Sequence, residues 1–99
     1  MEIKEAQAKI NELIDRIDGK MKGKHDSDTT MIHLMEEVGE LSKQLYNQKI
    51  GRDKLDRKNM AEEIADVVML LNKLATLYDI DVETAIIEKI KILKQRHNL

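Results

Sequence analysis

The stretch AEEIADVVMLLNKLA, residues 61–75, has apolar residues at helical spacing and one acid on the wrong side. Ile64, Val67, Val68, Leu71, Leu74 and Ala75 recur every third or fourth position, with Met60 just before them, which predicts an amphipathic helix facing a core. At about 100° per residue, Glu63 falls between Leu70 and Leu74, beside Met60 and Val67, inside the apolar arc. Asp66 follows at the rim of that arc. An ionised carboxylate in such a place must be paired, neutralised or bound to a metal, because leaving it bare away from water costs several kcal/mol. A structural salt bridge to a lysine or arginine is the simplest of these.

Working outward, the same periodicity predicts an all-α, four-helix bundle-like fold with helices at about residues 2–18, 29–48, 54–78 and 82–97. The first carries Ile3, Ala6, Ile10, Leu13, Ile14 and Ile17 and stops at Gly19. GKMKGKHDSDT, residues 19–29, reads as a polar loop, with Ser27, Asp28 or Thr29 as N-cap of the second helix. That helix has Met31, Leu34, Met35, Val38, Leu41 and Leu45 on one stripe, and KIGRD, residues 49–53, ends it. The long third helix is compatible with a break near residue 58. Asp81 suits the N-cap of the fourth, which turns Val82, Ala85, Ile86, Ile90 and Leu93 inward. Lys89, Lys91, Lys94 and Arg96 come late in it, where cations complement the helix dipole.

A chain of 99 residues is one domain, 1–99, near the lower size limit for a self-sufficient core. Its 17 basic and 19 acidic residues are interspersed, and two tyrosines are its only aromatic side chains, so nucleic-acid binding is not expected. No apolar run is long enough to span a bilayer and the first residues have no apolar signal core, so no membrane association and a cytoplasmic location are expected. With no cysteine, disulfides and thiolate metal sites are excluded.

The second helix holds MEEVGELSKQL, residues 35–45, where Glu36, Glu37 and Glu40 surround Gly39. Its apolar stripe centres near Val38, which points these acids and His33 to the opposite side, as on an ordinary solvated face. Gly39 costs about 1 kcal/mol relative to alanine in a helix interior, and the close approach of another backbone would account for it. Glu37 and Glu40 are spaced i, i+3, and so are Glu63 and Asp66, so each pair points to one side of its own helix. Two facing helices could unite all four carboxylates, and four anions cannot share a site without cations. An oxygen-only set selects hard ions such as Mg²⁺, Mn²⁺ or Ca²⁺. A ferritin-like di-iron site would need Glu-x-x-His, which none of His25, His33 and His97 completes. Carboxylate-bound Mg²⁺ keeps waters and takes substrate phosphates, which points to a phosphate ester or anhydride.

With these residues in place, the chain resembles the all-α nucleoside triphosphate pyrophosphohydrolases, usually called MazG-like. Their Glu-x-x-Glu and Glu-x-x-Asp signature reads here as EVGE at 37–40 and EIAD at 63–66, with 22 residues between. The flanks EEVGEL, AEEIADVV and LYDIDVETAIIEKIKILKQR are similar too, so the resemblance spans about residues 30–97. It implies Mg²⁺-dependent hydrolysis of a nucleoside or deoxynucleoside triphosphate at the α,β linkage, giving monophosphate and pyrophosphate, in nucleotide-pool house-cleaning. Glu37, Glu40, Glu63 and Asp66 would hold Mg²⁺, with Mn²⁺ as substitute, and Glu37 or Glu40 would accept the proton of the attacking water. Lys89 and Arg96 match a region where the family holds phosphates. His33, one turn before Glu37, would touch the substrate. Leu93 departs from the asparagine of many relatives and Leu70 from the tyrosine of some, so contacts to the base are not carried over, and Asn72 and Lys73 stand with His33 as candidates to touch the substrate.

A homodimer or homotetramer is expected from the thin core and from Ile32, Met69 and Ile87, which lie outside the main stripes. The resemblance implies the same. The alternative is a non-catalytic helical interaction module whose acidic pairs are structural.

Overall fold

The computed structural model describes residues 2–20 and 25–99. Four helices follow one another: α1 (Ile3–Asp18), α2 (Ser27–Lys49), α3 (Arg57–Leu77) and α4 (Val82–Arg96). No strand occurs among the described residues, and the expected all-α fold is the observed one. Of the loop expected over residues 19–29, residues 21–24 lie outside the described ones, and its end is already helical.

The helix starts differ from expectation for local reasons. Asp26, not Ser27, Asp28 or Thr29, caps α2, its Oδ1 accepting from the Thr29 N–H at 2.8 Å. Thr29 Oγ1 accepts in turn from the Asp26 N–H at 2.9 Å, a reciprocal capping box. Helix α3 starts at Arg57 because the Asp56 carboxylate accepts from the Asn59 N–H at 3.1 Å, and it runs unbroken through residue 58. Asp81 caps α4 as expected, accepting from the Thr84 N–H at 3.2 Å. Between α3 and α4, the Ile80 N–H bonds to the Ala75 carbonyl at 2.9 Å and the Asp79 N–H to that of Thr76 at 3.2 Å. This is a Schellman turn with Asp79, at φ 54°, in the left-handed position usually given to glycine.

Helix α2 packs along α3, α1 lies on another flank of α3, and α4 returns to α1. Among the described residues only three apolar ones are buried, Ile14, Leu34 and Leu70, one each from α1, α2 and α3. Buried polar groups outnumber them: Gln7, Asp18, Thr30, Asn72 and Lys73. Two of these fasten α1. Lys73 Nζ donates to Asn11 Oδ1 at 3.1 Å and to Asp15 Oδ1 at 2.9 Å. Gln7 Nε2 donates to the Ile80 carbonyl at 2.8 Å and to Thr76 Oγ1 at 3.2 Å, while its Oε1 accepts from the Val82 N–H at 3.0 Å. Asn72 donates to the Val68 carbonyl of its own helix at 2.8 Å. Lys73 therefore ties α3 to α1, while Asn72 Oδ1 is buried with no hydrogen-bond partner among the described residues.

Helix α2 corrects the expected packing. Its inward face runs through Thr30, His33, Leu34, Glu37, Leu41 and Gln44, rotated roughly 80° from the apolar stripe. Met31, Met35, Val38 and Leu45 are exposed, Met35 by 59%. Ile86, Ile87, Ile90 and Leu93 of α4 are exposed too, and α4 has no buried residue. Ile32 and Ile87 are uncovered as expected, whereas Met69 lines a cavity beside α1 within the same chain. The accessible surface is 7907 Å² for an 11.5 kDa chain. Compact monomers of that mass expose about 5,800 Å². The radius of gyration, 16.2 Å, likewise exceeds the ~13 Å of a compact domain this long.

The Gln7 clamp gives a stability test. Gln7→Leu keeps the apolar contact but strands the Ile80 carbonyl and the Val82 N–H, so urea unfolding of the variant should show a loss of about 1–3 kcal/mol.

Candidate metal centre

The rotation of α2 brings its acids to α3. On α2, Glu37 follows Thr30 and Leu34 along the buried face, and on α3 Glu63 sits between Met60 and Val67, so both carboxylates enter the seam where the helices pack. Glu37, Glu63 and Asp66 each place a carboxylate oxygen within 4.8 Å of the others. Glu37 and Glu63 are half-buried and Asp66 is exposed at the seam's edge. Glu40 is exposed one turn beyond Glu37, outside this group of three, though its charge still acts on Glu63. Glu36 points away from the seam.

Glu63 is the strained member. Its Oε2 is buried without a donor, and no lysine or arginine pairs with it among the described residues. The structural salt bridge is thus not what occupies the position. Facing carboxylates hydrogen-bond only when one of them holds a proton. That bond to Glu37, then burial, then the charges of Glu37, Asp66 and Glu40, push the Glu63 carboxyl up to about 7. An orphaned buried oxygen, two further carboxylates and no nitrogen or sulfur donor make a set that fits a hard divalent cation.

His33 lies on the inward face of α2 and not on the solvated face expected for it, half-buried, with Nε2 3.3 Å from Glu37 Oε1. Beside the acids is a cavity of about 340 Å³, with Ile14 and Ile17 of α1 and Met69 and Leu70 of α3 as its apolar wall. Asp18, His25 and His33 line it as well, and Glu37 and Asp66 form its rim toward the metal group. Lys89 and Arg96 are not brought to the acids. They are exposed on α4, whose packing is on α1, and neither forms an ion pair among the described residues.

Sequence reasoning missed Asp18 and His25. The backbone N–H and ring Nδ1 of His25 donate to the buried Asp18 carboxylate at 2.8 and 2.9 Å. Burial acts to raise Asp18, and the His25 bonds with the charges of His25 and Lys73 outweigh it, holding the carboxyl below the ordinary range. A carboxylate in the last turn of a helix, against the dipole, was the available signal. Gly39 corrects another expectation. A Cβ built there meets nothing within 4 Å, because the residue lies on the exposed side of α2.

Comparison with known proteins agrees with the acid signature. The family model of the MazG nucleotide pyrophosphohydrolase domain matches residues 25–99. The uncharacterized protein YpjD of Bacillus subtilis (strain 168) is 37% identical over 87 residues, covering 84% of this chain and 75% of the relative. No solved structure matches significantly.

The raised Glu63 has a signed consequence. An ordinary glutamate titrates near 4.5 and Glu63 in the metal-free fold near 7, so the folded state binds the extra proton between those values. Stability from this group is full below the lower value and lost as pH rises through the upper one. In thermal melts of metal-free protein at about pH 5 and about pH 8, Glu63→Gln should flatten this part of the pH dependence and raise the midpoint at the higher pH.

Proposed function

Because this chain belongs to the MazG nucleotide pyrophosphohydrolase domain family, we propose that it hydrolyses nucleoside or deoxynucleoside triphosphates to monophosphate and pyrophosphate. The observation that carries this reading is the seam of acids: three carboxylates within 4.8 Å, one with a buried oxygen that no donor satisfies. Glu37, Glu63 and Asp66, with Glu40 one turn on, hold Mg²⁺, or Mn²⁺ in its place. The bound cation supplies charge neutralisation at the phosphates and at the departing pyrophosphate.

The remaining steps belong to the chain's own groups. A carboxylate of α2, Glu37 or Glu40, takes the proton of the water that attacks the α-phosphorus. The apolar wall of Ile14, Ile17, Met69 and Leu70 receives the nucleoside, and its volume of about 340 Å³ is within the usual range of small-molecule sites. His33 stands between that cavity and Glu37, in reach of a bound nucleotide. Lys89 and Arg96 hold phosphate oxygens from α4.

A second copy of the chain completes the fold. The surface in excess of a compact monomer is roughly 2,000 Å², more than the ~800 Å² each partner contributes to a standard interface. Exposed apolar side chains on all four helices contribute to it, among them Met31, Met35 and Val38 of α2 and Ile86, Ile87 and Ile90 of α4. Because α4 packs on α1 and the acids lie on α2 and α3, a second copy also offers a route by which Lys89 and Arg96 meet phosphates.

Two measurements test this. A panel of triphosphates with Mg²⁺ should yield pyrophosphate as direct product, and Glu63→Gln should lower turnover by more than about 100-fold. Orthophosphate as direct product, or full activity in the variant, contradicts the reading and favours an interaction module. Sedimentation should show a dimer or tetramer, and Met35→Glu with Ile87→Glu should shift it toward monomer. A wild-type chain that sediments as a compact monomer rules out the second copy.

A further inference from the structure

Asp18 is a carboxylate where a helix disfavours one. It is the last residue of α1, at the negative end of the helix dipole, and only 7% of it is exposed. The two hydrogen bonds from His25 compensate, and as a staple closing the loop between α1 and α2 that pair would be complete in itself. The contacts nevertheless continue. His25 Nε2 lies 3.2 Å from His33 Nδ1, with ring centroids 5.5 Å apart and planes 24° apart. His33 Nε2 then lies 3.3 Å from Glu37 Oε1. Every ring nitrogen of the two histidines has a polar neighbour within 3.3 Å, so turning either imidazole parts at least one of these contacts.

We infer that Asp18, His25 and His33 form a positioning chain that fixes the Glu37 carboxylate for its cation, making α1 part of the site although the family match begins at residue 25. The inference rests on the reading of Glu37 as a metal ligand. A glutamate side chain has three rotatable bonds, and across the seam Glu37 meets other carboxylates that repel it. Keeping Oε1 beside His33 limits the rotamers open to that carboxylate. Hydrogen bonds to ligating carboxylates commonly change metal affinity about 10–100-fold. A loop staple explains Asp18 and His25 but gives no reason for His33 to bridge them to Glu37.

The test is calorimetric titration of the full-length protein with Mn²⁺ alone, beside thermal melts of the metal-free protein. Asp18→Asn keeps the shape but weakens the grip on His25, and His33→Ala cuts the chain in its middle while leaving the staple whole. Each should weaken Mn²⁺ binding about 10–100-fold, and the double variant should be no weaker than His33→Ala alone, because the two act through one path. His33→Ala, being half-exposed, should fold with a nearly unchanged melting midpoint, so its loss of affinity is not a loss of structure. Unchanged affinity in His33→Ala and Asp18→Asn, or additive losses, beside a large loss in Glu37→Gln overturns the positioning chain and leaves the metal site standing. A wild-type protein that does not bind Mn²⁺, or a Glu37→Gln variant that binds it equally well, overturns the metal reading and the chain with it.

Discussion

Two carboxylates, Glu37 and Glu63, meet in the seam between α2 and α3, and only a proton or a cation can complete that packing. Most of the architecture follows from this contact. To turn Glu37 inward, α2 rotates away from the orientation its apolar residues would select, and Met31, Met35 and Val38 are left facing outward. Among the described residues only Ile14, Leu34 and Leu70 of the apolar set are buried. Apolar side chains on all four helices are left open to solvent.

Helix α1 compensates in a different currency, that of directional bonds. Gln7, Asn11, Asp15, Asp18 and Lys73 give it hydrogen-bonded contacts of defined length to α3, the interhelical turn and the loop before α2. Apolar faces tolerate sliding by part of a turn, whereas a glutamine satisfied at both ends, or a buried lysine held by two acceptors, does not. Ile14 and Ile17, on the same helix as these bonds, line the cavity beside the acids.

The sequence made the four helices, the Asp81 cap and the misplaced Glu63 legible, because periodicity and capping are local. It also paired EVGE with EIAD through their i, i+3 spacing, and the structure brings Glu37 to Glu63 and Asp66 while Glu40 stays outside the group. The inward turn of Glu37 was not legible, because the apolar stripe near Val38 is a stronger signal than two acids and nothing in one chain announces that the stripe faces outward. Asp26 was overlooked as a cap because three neighbouring residues were equally good candidates. Asp18 and His25 were missed for another reason: their meeting depends on how α1 and α2 are set relative to each other, which no spacing encodes. Gly39 misled, since a weak helix residue draws a packing explanation and the structure offers only solvent.

The clamp of Gln7 on Ile80 and Val82 holds α4 at its base, while the rest of that helix carries uncovered isoleucines. Its aim is set before anything touches it. A partner docking on a helix already ordered in the single chain would escape the entropy loss of folding on contact. Encounter then selects among orientations and not among conformations, which favours fast association and discriminates against surfaces of the wrong shape.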